Sequence, residues 1–341
     1  MGRTVVGLEI TEESVRAAQI AIGRTPQLVG YGEVPLPADA ARDSEITDAG
    51  AVAVALRQLW TGAGFKGKEV TLGVASRRIL VREYTTQAMK PELLREALPY
   101  QVQDFLPVPA SQAVLDFFPL SYHDDQVSGL LVAAISESIE QIIATLDRVK
   151  LRARAIDLAA FGLARTSALA HGRQGTVAAV HIGDHTTQFV VSTGGIPQFV
   201  RLLPIDVPTA AVQARLGQTA EIPVEAEMLE LVPAAAAPAP RTRGALRSST
   251  GDPVVSDLVA RVRSTLAFYA SRPNALPVDE VLLSGAGANV AGVVPGLTAG
   301  LDVPVRVVSV GEIVAVKSSG ITPDLALNLV STVGVALGEV R

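Results

Sequence analysis

The chain has 341 residues, of which 48% are hydrophobic and 18% charged, so it can form about two domains with a substantial core and is not a disordered chain. It contains no cysteine, which excludes disulfides and thiolate chemistry and favours the cytoplasm, and its four histidines are scattered without a metal-binding spacing. The net charge of −5 argues against a nucleic-acid-binding protein, and the sequence shows no polybasic cluster of the kind that holds a protein on anionic lipid.

The first eighty residues predict three strands, a helix and a fourth strand. Apolar runs at 5–10 and 15–22 flank the polar tip TEES, and the strand-like QLVGYGEV follows. The segment 48–65 has apolar residues at helical spacing and glycines where the helix should stop. EVTLGVAS at 69–76 is typical of a buried strand.

The next seventy residues predict a mixed α/β segment. KPELLREALPYQVQDFLPVP at 90–109 opens with proline in the first helical turn, and Pro99 should kink its apolar stripe. Residues 111–122 and 128–136 are predicted strands. Residues 137–153 form an amphipathic helix, with apolar side chains on one face.

From about residue 175 the pattern starts again. Strands are predicted at 176–183, 187–192 and 196–203, and a helix at 207–217. Residues 232–253 are rich in Ala, Pro, Arg and Ser and indicate a linker or mobile loop.

The last ninety residues predict a helix at 252–271, a strand, glycine turn and helix at 278–301, a strand at 303–309 and a helical end. The longest apolar stretch, 281–297, is shorter than the ~20 residues of a membrane span and is interrupted by Gly and Pro, so we expect no such span.

The two halves of the chain repeat one pattern at an offset of 172 residues. Glu9 falls on His181, Thr11 on Gly183 and Ser14 on Thr186, and each hairpin is followed by a third strand and a helix. A single hairpin of this kind is usually a plain turn. Two at one offset, with a glycine turn after the second, together indicate two related domains.

Such hairpins suit a nucleotide. Small-residue turns expose backbone N–H groups that can bind an anion, and the hydroxyls of Ser14 and Thr186 could donate to phosphate oxygens. A carboxylate at a strand end, such as Glu9, could hold Mg²⁺ through water. The turn SGAGAN, through Gly285, Ala286 and Gly287, could let the backbone approach a base or ribose.

This order of elements resembles the actin-like ATPase superfamily, in which each half starts with such a hairpin and ATP binds between the halves. Within it, the chain is similar to the PilM family of type IV pilus assembly proteins. The most specific piece is YQVQDFLPVPASQAVLDFFPL at 100–120, and the tail at 312–338 also resembles the end of that family.

The resemblance implies an α/β, duplicated actin-like (ribonuclease H-like) fold with a central cleft and an inserted α/β subdomain of the type found in PilM and the division protein FtsA. Residues 1–79 would begin the first half, 80–152 would form the insertion, and 153–174 with 311–341 would return to the first half. Residues 175–310 would form the second half.

The nucleotide motifs depart from the family at chemically important atoms. The first hairpin keeps its acid, Glu9, but has Thr11 where the family has Gly, and the second has His181 where the family has Asp. The helix that carries Ala-Glu-x-x-Lys in the family resembles 226–230 here, with Glu230 in place of Lys. We therefore expect a degenerate site with weak or absent binding of ATP and Mg²⁺, and assign no catalytic residue. The candidate nucleotide contacts are Glu9 (also the candidate metal ligand), Thr11, Ser14, Arg16, Gly183, Asp184, Thr186, Thr187, Glu227, Gly285, Ala286 and Gly287.

The resemblance also implies a partner. In PilM the N-terminal cytoplasmic tail of the inner-membrane protein PilN docks between the first half and the insertion, so we expect a cytoplasmic scaffold of the pilus platform that reaches the membrane only through a PilN-like protein. Further partners would be other platform proteins. The candidate tail-binding residues are Phe105, Leu106, Pro107, Val108, Pro109, Leu115 and Phe117.

Other functions remain open at this point. The main alternative is an active actin-like ATPase whose hydrolysis drives pilus or filament assembly. A sugar kinase on this fold would need a catalytic Asp in a sugar pocket, and no such segment is found. An FtsA-like filament former would end in a basic amphipathic helix, whereas this chain ends VSTVGVALGEVR.

Overall fold

The computed structural model describes residues 3–42, 44–220, 252–317 and 320–340. Glu227, Glu230 and nearly all of the predicted linker at 232–253 lie outside the described residues.

The strands are, in chain order, β1 Thr4–Ile10, β2 Ser14–Ala21, β3 Gln27–Pro35, β4 Ala41–Arg42, β5 Glu45–Ile46, β6 Glu69–Val74, β7 Leu80–Gln87, β8 Ala113–His123, β9 Gln126–Ile135, β10 Arg152–Leu158, β11 Thr176–Ile182, β12 Thr186–Thr193, β13 Ile196–Pro204, β14 Glu280–Ser284, β15 Val305–Val307 and β16 Ala315–Val316. The helices are α1 Ala49–Ala63, α2 Pro91–Gln101, α3 Ser136–Asp147, α4 Ala159–His171, α5 Ala210–Ala220, α6 Pro253–Ala270, α7 Val293–Gly300, α8 Val310–Ile313 and α9 Pro323–Ala336.

Two larger sheets form the two halves of the molecule. The first has strand order β10-β6-β1-β2-β3-β16, and the second β13-β12-β11-β14-β15. In both, an antiparallel hairpin is continued by parallel strands. Strands β1, β2, β11 and β12 are buried along nearly all their length, as expected for strands covered on both faces.

The predicted duplication is confirmed. Strands β11 and β12 begin and end 172 residues after β1 and β2. Both hairpins keep the same register, with Glu9 opposite Arg16 in the first and His181 opposite Gln188 in the second. The tips close with the same backbone hydrogen bond, since the amides of Thr11 and Gly183 donate to carbonyls three residues further along the chain.

A third sheet, of order β7-β9-β8, is built from residues within the predicted insertion 80–152. Helix α2 covers one face through Leu94 and Leu98, and it ends at Gln101, earlier than the predicted segment 90–109. Phe105, a candidate tail-binding residue in the predicted segment, is 45% exposed in a short 3-10 turn after the helix.

Helices α4 and α9 lie between the two large sheets and cross at very close range. A Cβ on Gly334 of α9 would come within 2.1 Å of the Gly162 carbonyl oxygen of α4. Only glycine allows backbones to approach this closely. The C-terminal segment is not one continuous helix as predicted, because β16 separates α8 from α9 and extends the first sheet beside β3.

None of the helices in the described part of the chain is both long enough and apolar enough to cross a bilayer.

Candidate functional site

The hairpin tips of the two halves face each other across a cleft. Between them lies a cavity of about 50 Å³. Its lining comes from both hairpins, from β6 and from α9, and consists of Glu9, Ile10, Thr11, Glu12, Arg16, Ser44, Gly73, Ala75, His181, Gly183, Asp184, His185, Thr186, Gln188 and Ser331. The cleft therefore brings together six of the twelve predicted nucleotide contacts: Glu9, Thr11, Arg16, Gly183, Asp184 and Thr186.

Glu9 is buried at the floor of this cleft, where protein hydroxyls already bind its carboxylate. Ser331 Oγ lies 2.7 and 2.6 Å from the two carboxylate oxygens, and Thr332 also donates to the group. Burial raises the pKa of Glu9, while the Arg16 charge and these hydrogen bonds act in the opposite direction. These partners on α9 were missed from the sequence because they lie more than 300 residues away.

Arg16 is the buried cation of the cleft. Its Nη2 donates to Thr11 Oγ1 at 3.2 Å and lies 3.9 Å from Asp184 Oδ2, so it links the two halves. Its Nε lies 3.3 Å from Glu33 Oε1 and makes no hydrogen bond among the described residues. The guanidinium balances part of the charge of the surrounding carboxylates.

His181 lies at the end of β11, where the resemblance implies an acid. It is buried, and its Nδ1 lies 3.0 Å from Ser284 Oγ. Burial, assisted by the positive charge of Arg16, lowers its pKa to about 3. An imidazole in this state carries no negative charge with which to position a metal.

The two hairpin tips contact each other directly through His185 and Glu13. His185 Nε2 lies 2.8 Å from Glu13 Oε1, and its Nδ1 lies 2.8 Å from Asp206 Oδ1. Hydrogen bonding to Glu13, and to Asp206, raises the pKa of His185 to about 9 despite its partial burial. Glu13 also pairs with Arg215 of α5, at 2.7 Å. We call Glu13, His185, Asp206 and Arg215 the tip network.

The tip network was not predicted from the sequence. One signal was available, because Glu13 and His185 are separated by the same 172 residues as the two hairpins. Equivalent tip positions of a duplicated fold can meet across its central cleft. Nothing in the sequence placed Arg215 there.

The predicted phosphate-binding groups are largely occupied by protein. Ser14 Oγ donates to Glu33 at 2.8 Å, and Thr11 Oγ1 donates to the Ser14 carbonyl at 3.0 Å. Asp184 Oδ1 accepts from Thr209 Oγ1 at 2.6 Å. Thr186 lines the cavity, whereas Thr187 is fully buried and its hydroxyl has no partner among the described residues.

The predicted glycine turn faces protein on both sides. Gly285, Ala286 and Gly287 are buried, and a Cβ on Gly285 or Gly287 would come within 2.3 Å of Ile182. The Ala286 amide donates to Asn328 Oδ1 of α9 at 2.8 Å. The glycines at this turn therefore allow it to pack against β11, and its amides are bound by α9.

A larger cavity of about 370 Å³ lies between the first sheet and the three-stranded sheet. We call it the groove. Most of its wall is apolar, and it also contains Asp116 and an ion pair between Asp157 and Arg165. The groove is lined by Thr71, Val74, Ile79, Val114, Asp116, Phe118, Val132, Ala134, Ile139, Ala155, Ile156, Asp157, Leu158, Phe161, Arg165 and Gly338.

The predicted tail-binding residues lie beside this groove and do not line it. Leu115 and Phe117 point to the opposite face of β8, where they pack with Leu106 against the α2 cluster. Val114, Asp116 and Phe118 alternate with them and face the groove. Phe105, Pro107 and Pro109 are exposed and Val108 is half-buried, in the segment that leads into β8.

Comparison with known proteins adds to this geometry. A family model described as "Type IV pilus assembly protein PilM" matches residues 7–202. The solved structure of a PilM–PilN type IV pilus biogenesis complex is similar to this chain, with a TM-score of 0.78 at 21% sequence identity over 99% of this chain and 98% of that chain.

A second solved structure is more distant. The cytoplasmic domain of EpsL, an inner membrane component of the type II secretion system of Vibrio cholerae, has a TM-score of 0.50 at 9% identity over 98% of this chain and 95% of that chain. The predicted fold class, a duplicated actin-like α/β fold, is confirmed.

Proposed function

This chain belongs to the PilM family of type IV pilus assembly proteins, and we propose that it is a cytoplasmic scaffold of the pilus inner-membrane platform. It binds the N-terminal cytoplasmic tail of a PilN-like protein in the groove, is held at the membrane by that tail, and offers its remaining surface to other platform proteins. Its nucleotide cleft is degenerate.

The observation that carries this proposal is the groove. Its volume of about 370 Å³ is within the range of small-ligand pockets, whereas the cleft between the hairpins offers about 50 Å³. The resemblance to a PilM that was solved in complex with PilN supports the choice of a peptide occupant.

The groove also has the backbone geometry that an extended peptide needs. Strand β8 is an edge strand of the three-stranded sheet, and β10 is an edge strand of the first sheet. Residues of both strands line the groove. A peptide laid between them could add main-chain hydrogen bonds to an open edge while its apolar side chains enter the cavity.

The Val114→Asp variant tests this site. Val114 lines the groove and is 48% exposed, so a carboxylate there should leave the fold intact but oppose apolar contacts with the tail. We expect the affinity for a synthetic PilN-like tail, measured by calorimetry, to fall at least ~10-fold, or about 1.4 kcal/mol.

The matched control is Val54→Asp on α1, where the valine is also 48% exposed but lies outside the groove. The control should bind the tail like the unmodified protein. Equal affinities for both variants, with both folded, would exclude the groove as the docking site.

A third variant, Val108→Asp, tests the exposed segment at 105–109. Loss of binding in this variant as well as in Val114→Asp would indicate that the bound tail runs from the groove across that segment. Loss in Val108→Asp alone would place the tail on the segment and not in the groove.

The charges around the hairpin tips support the proposal that the cleft is degenerate. Six carboxyl groups and three cations surround the hairpin tips, so a triphosphate would enter an environment that already has excess negative charge. The acids are Glu9, Glu12, Glu13, Glu33, Asp184 and Asp206, and the cations are Arg16, Arg215 and the protonated His185.

The described residues do not fit ATP and Mg²⁺. The candidate metal ligand Glu9 is bound by Ser331 and Thr332, and the glycine turn that would face a base is closed by Ile182 and α9. We expect no phosphate release at an enzymatic rate of ~1 per second in steady-state assays with ATP and Mg²⁺. Turnover at that rate would favour the alternative of an active ATPase.

A further inference from the structure

The folded chain brings together basic residues that lie in separate short segments of the sequence. In the first sheet, β1, β6 and β10 are parallel to one another and antiparallel to β2. The starts of these three strands and the end of β2 therefore meet at one edge. The exposed cations at this edge are Arg3, Arg24, Lys66, Lys68, Arg148, Lys150 and Arg152, which we call the basic face.

Two hydrogen bonds and a tight turn hold the basic face together. The Arg152 amide donates to the Lys68 carbonyl at 2.8 Å, and Trp60 Nε1 donates to the Gly67 carbonyl at 2.8 Å, which fixes the loop between two of the lysines. Lys150 has a φ of 59° in the tight turn between α3 and β10. These contacts place three of the five lysines in the chain on one face.

The charge of this face opposes that of the whole molecule. Among the described residues at the ends of these strands and in the turns that join them, seven cations accompany two acids, Glu69 and Asp147, in a chain of net charge −5. Among the described residues, Lys66, Lys68, Arg148, Lys150 and Arg152 form no ion pair with a carboxylate. Their charge is therefore available to an external anion.

We infer that the basic face contacts the anionic headgroups of a phospholipid bilayer directly. Four adjacent strands present cations over about 14 Å, from the ~4.8 Å strand spacing, and this broad display suits a surface of many phosphates. The four arginines of the face can make bidentate contacts with phosphates, and its three lysines add compact charges on flexible stems.

Other anionic partners fit this face less well. Among the described residues at this edge, Trp60 is half-buried and Phe65 buried, so no exposed aromatic ring is available to stack nucleic-acid bases. The adjacent recess is lined by charged side chains and the buried Leu151, and offers no apolar pocket that would anchor an acidic peptide.

The basic face also lies next to the groove. Strand β10 begins at Arg152 on the basic face, reaches the groove at Ala155, about 10 Å away at ~3.3 Å per residue, and lines it as far as Leu158. A tail that leaves the groove for its membrane anchor would hold this face near the bilayer. In this respect the inference rests on the proposed function, but the contact itself can be tested without the tail.

The test is co-sedimentation of the full chain, without tail peptide, with vesicles of phosphatidylcholine containing phosphatidylglycerol. We expect binding that increases with the anionic fraction, is absent on pure phosphatidylcholine and weakens with salt. Each basic residue near such a surface raises the partition coefficient about five-fold. The triple variant Lys66→Glu, Lys150→Glu, Arg152→Glu should therefore bind the anionic vesicles at least ~10-fold more weakly.

The control triple variant is Lys90→Glu, Arg95→Glu, Arg263→Glu, which changes exposed cations elsewhere and has the same net charge. It should keep most of the binding, and thermal melts should show that both variants are folded. Equal loss in the two variants would overturn the inference, because total charge and not the basic face would then determine binding. Absence of vesicle binding in the unmodified chain would also overturn it, and binding to polyglutamate in that case would assign the face to an acidic protein.

The tail calorimetry of the groove variants remains a separate measurement. Vesicle binding with no tail binding would contradict the proposed function alone, and tail binding with no vesicle binding would contradict this inference alone.

Discussion

Two histidines of the cleft have pKa values shifted in opposite directions for distinct reasons. His185 is partly exposed and bound by carboxylates, which stabilise its charged form and raise its pKa to about 9. His181 is buried beside Arg16, which disfavours the charged form and lowers its pKa to about 3. Both shifts make the stability of the fold depend on pH.

Replacement of His185 by Gln should destabilise the protein most at mildly acidic pH. Because the pKa of His185 is raised on folding, its contribution is fully present below about pH 6.5 and is lost as pH rises to about 9. Denaturant unfolding of the unmodified protein and His185→Gln should therefore give free energies that converge between pH 6.5 and 9. The exposed His123→Gln in β8 controls for loss of a surface imidazole, and a difference that stays constant across this range would contradict the role of His185.

Replacement of His181 by Asn should have the opposite pH dependence. Because the pKa of His181 is lowered on folding, its imidazole binds a proton more readily in the unfolded chain than in the folded one. The contribution of neutral His181 to stability is therefore present above about pH 6.5 and is lost as pH falls toward 3. The His181→Asn protein should lose less stability between pH 6.5 and 4 than the unmodified protein. Parallel losses in the two proteins would show that folding does not lower the pKa of His181.

At the scale of elements, the direction of each side chain on β8 determines what the strand does. Val114, Asp116 and Phe118 face the groove, whereas Leu115 and Phe117 pack against α2. All these positions are apolar except Asp116, so the pattern alone does not distinguish the groove face from the core face. A shift of one residue exchanges the two faces.

The crossing of α4 and α9 gives an element-scale prediction. A methyl group at Gly334 would overlap Gly162 backbone atoms, so Gly334→Ala should push the two helices apart and lower the free energy of unfolding by about 1–3 kcal/mol. Thermal and denaturant unfolding would measure this change.

The control is Gly62→Ala in α1, where an added Cβ meets no atom within 4 Å. This change should stabilise the helix by up to ~1 kcal/mol. Tolerance of alanine at Gly334 would mean that the helices are less closely packed than their geometry indicates.

At the scale of the whole molecule, the tip network holds the two halves together at the mouth of the cleft. Glu13 of the first half contacts His185 and Arg215 of the second, and Arg16 lies between Thr11 and Asp184. These contacts occupy the space between the two hairpin tips. The halves should therefore stay closed whether or not a nucleotide is present.

Cross-linking can test this closure, because the chain has no cysteine to interfere. Ser44 and Thr186 line the same cavity from the two halves, so Ser44→Cys with Thr186→Cys should react with a short bis-maleimide. We expect the same yield with and without ATP and Mg²⁺. A yield that falls when nucleotide is added would show that the cleft opens to bind it, against the proposed degenerate site.

The sequence by itself determined the duplicated architecture. The hairpins recur at a fixed offset because alternating apolar runs around a polar tip specify a local structure, and their bounds in the fold match that offset. The sequence also shows that position 181 holds a histidine and not an acid, whereas the pKa of that histidine depends on its burial and on Arg16.

Tertiary structure alone decided which side chains meet. Ser331 binds Glu9, Arg215 binds Glu13, and basic residues from separate parts of the chain form one face at the ends of four adjacent strands. Long-range contacts depend on how sheets and helices pack, and neither periodicity nor composition records that packing. The orientation of β8 was undecided for the same reason, because both of its faces are apolar and only the packing of α2 determines which one remains open to the groove.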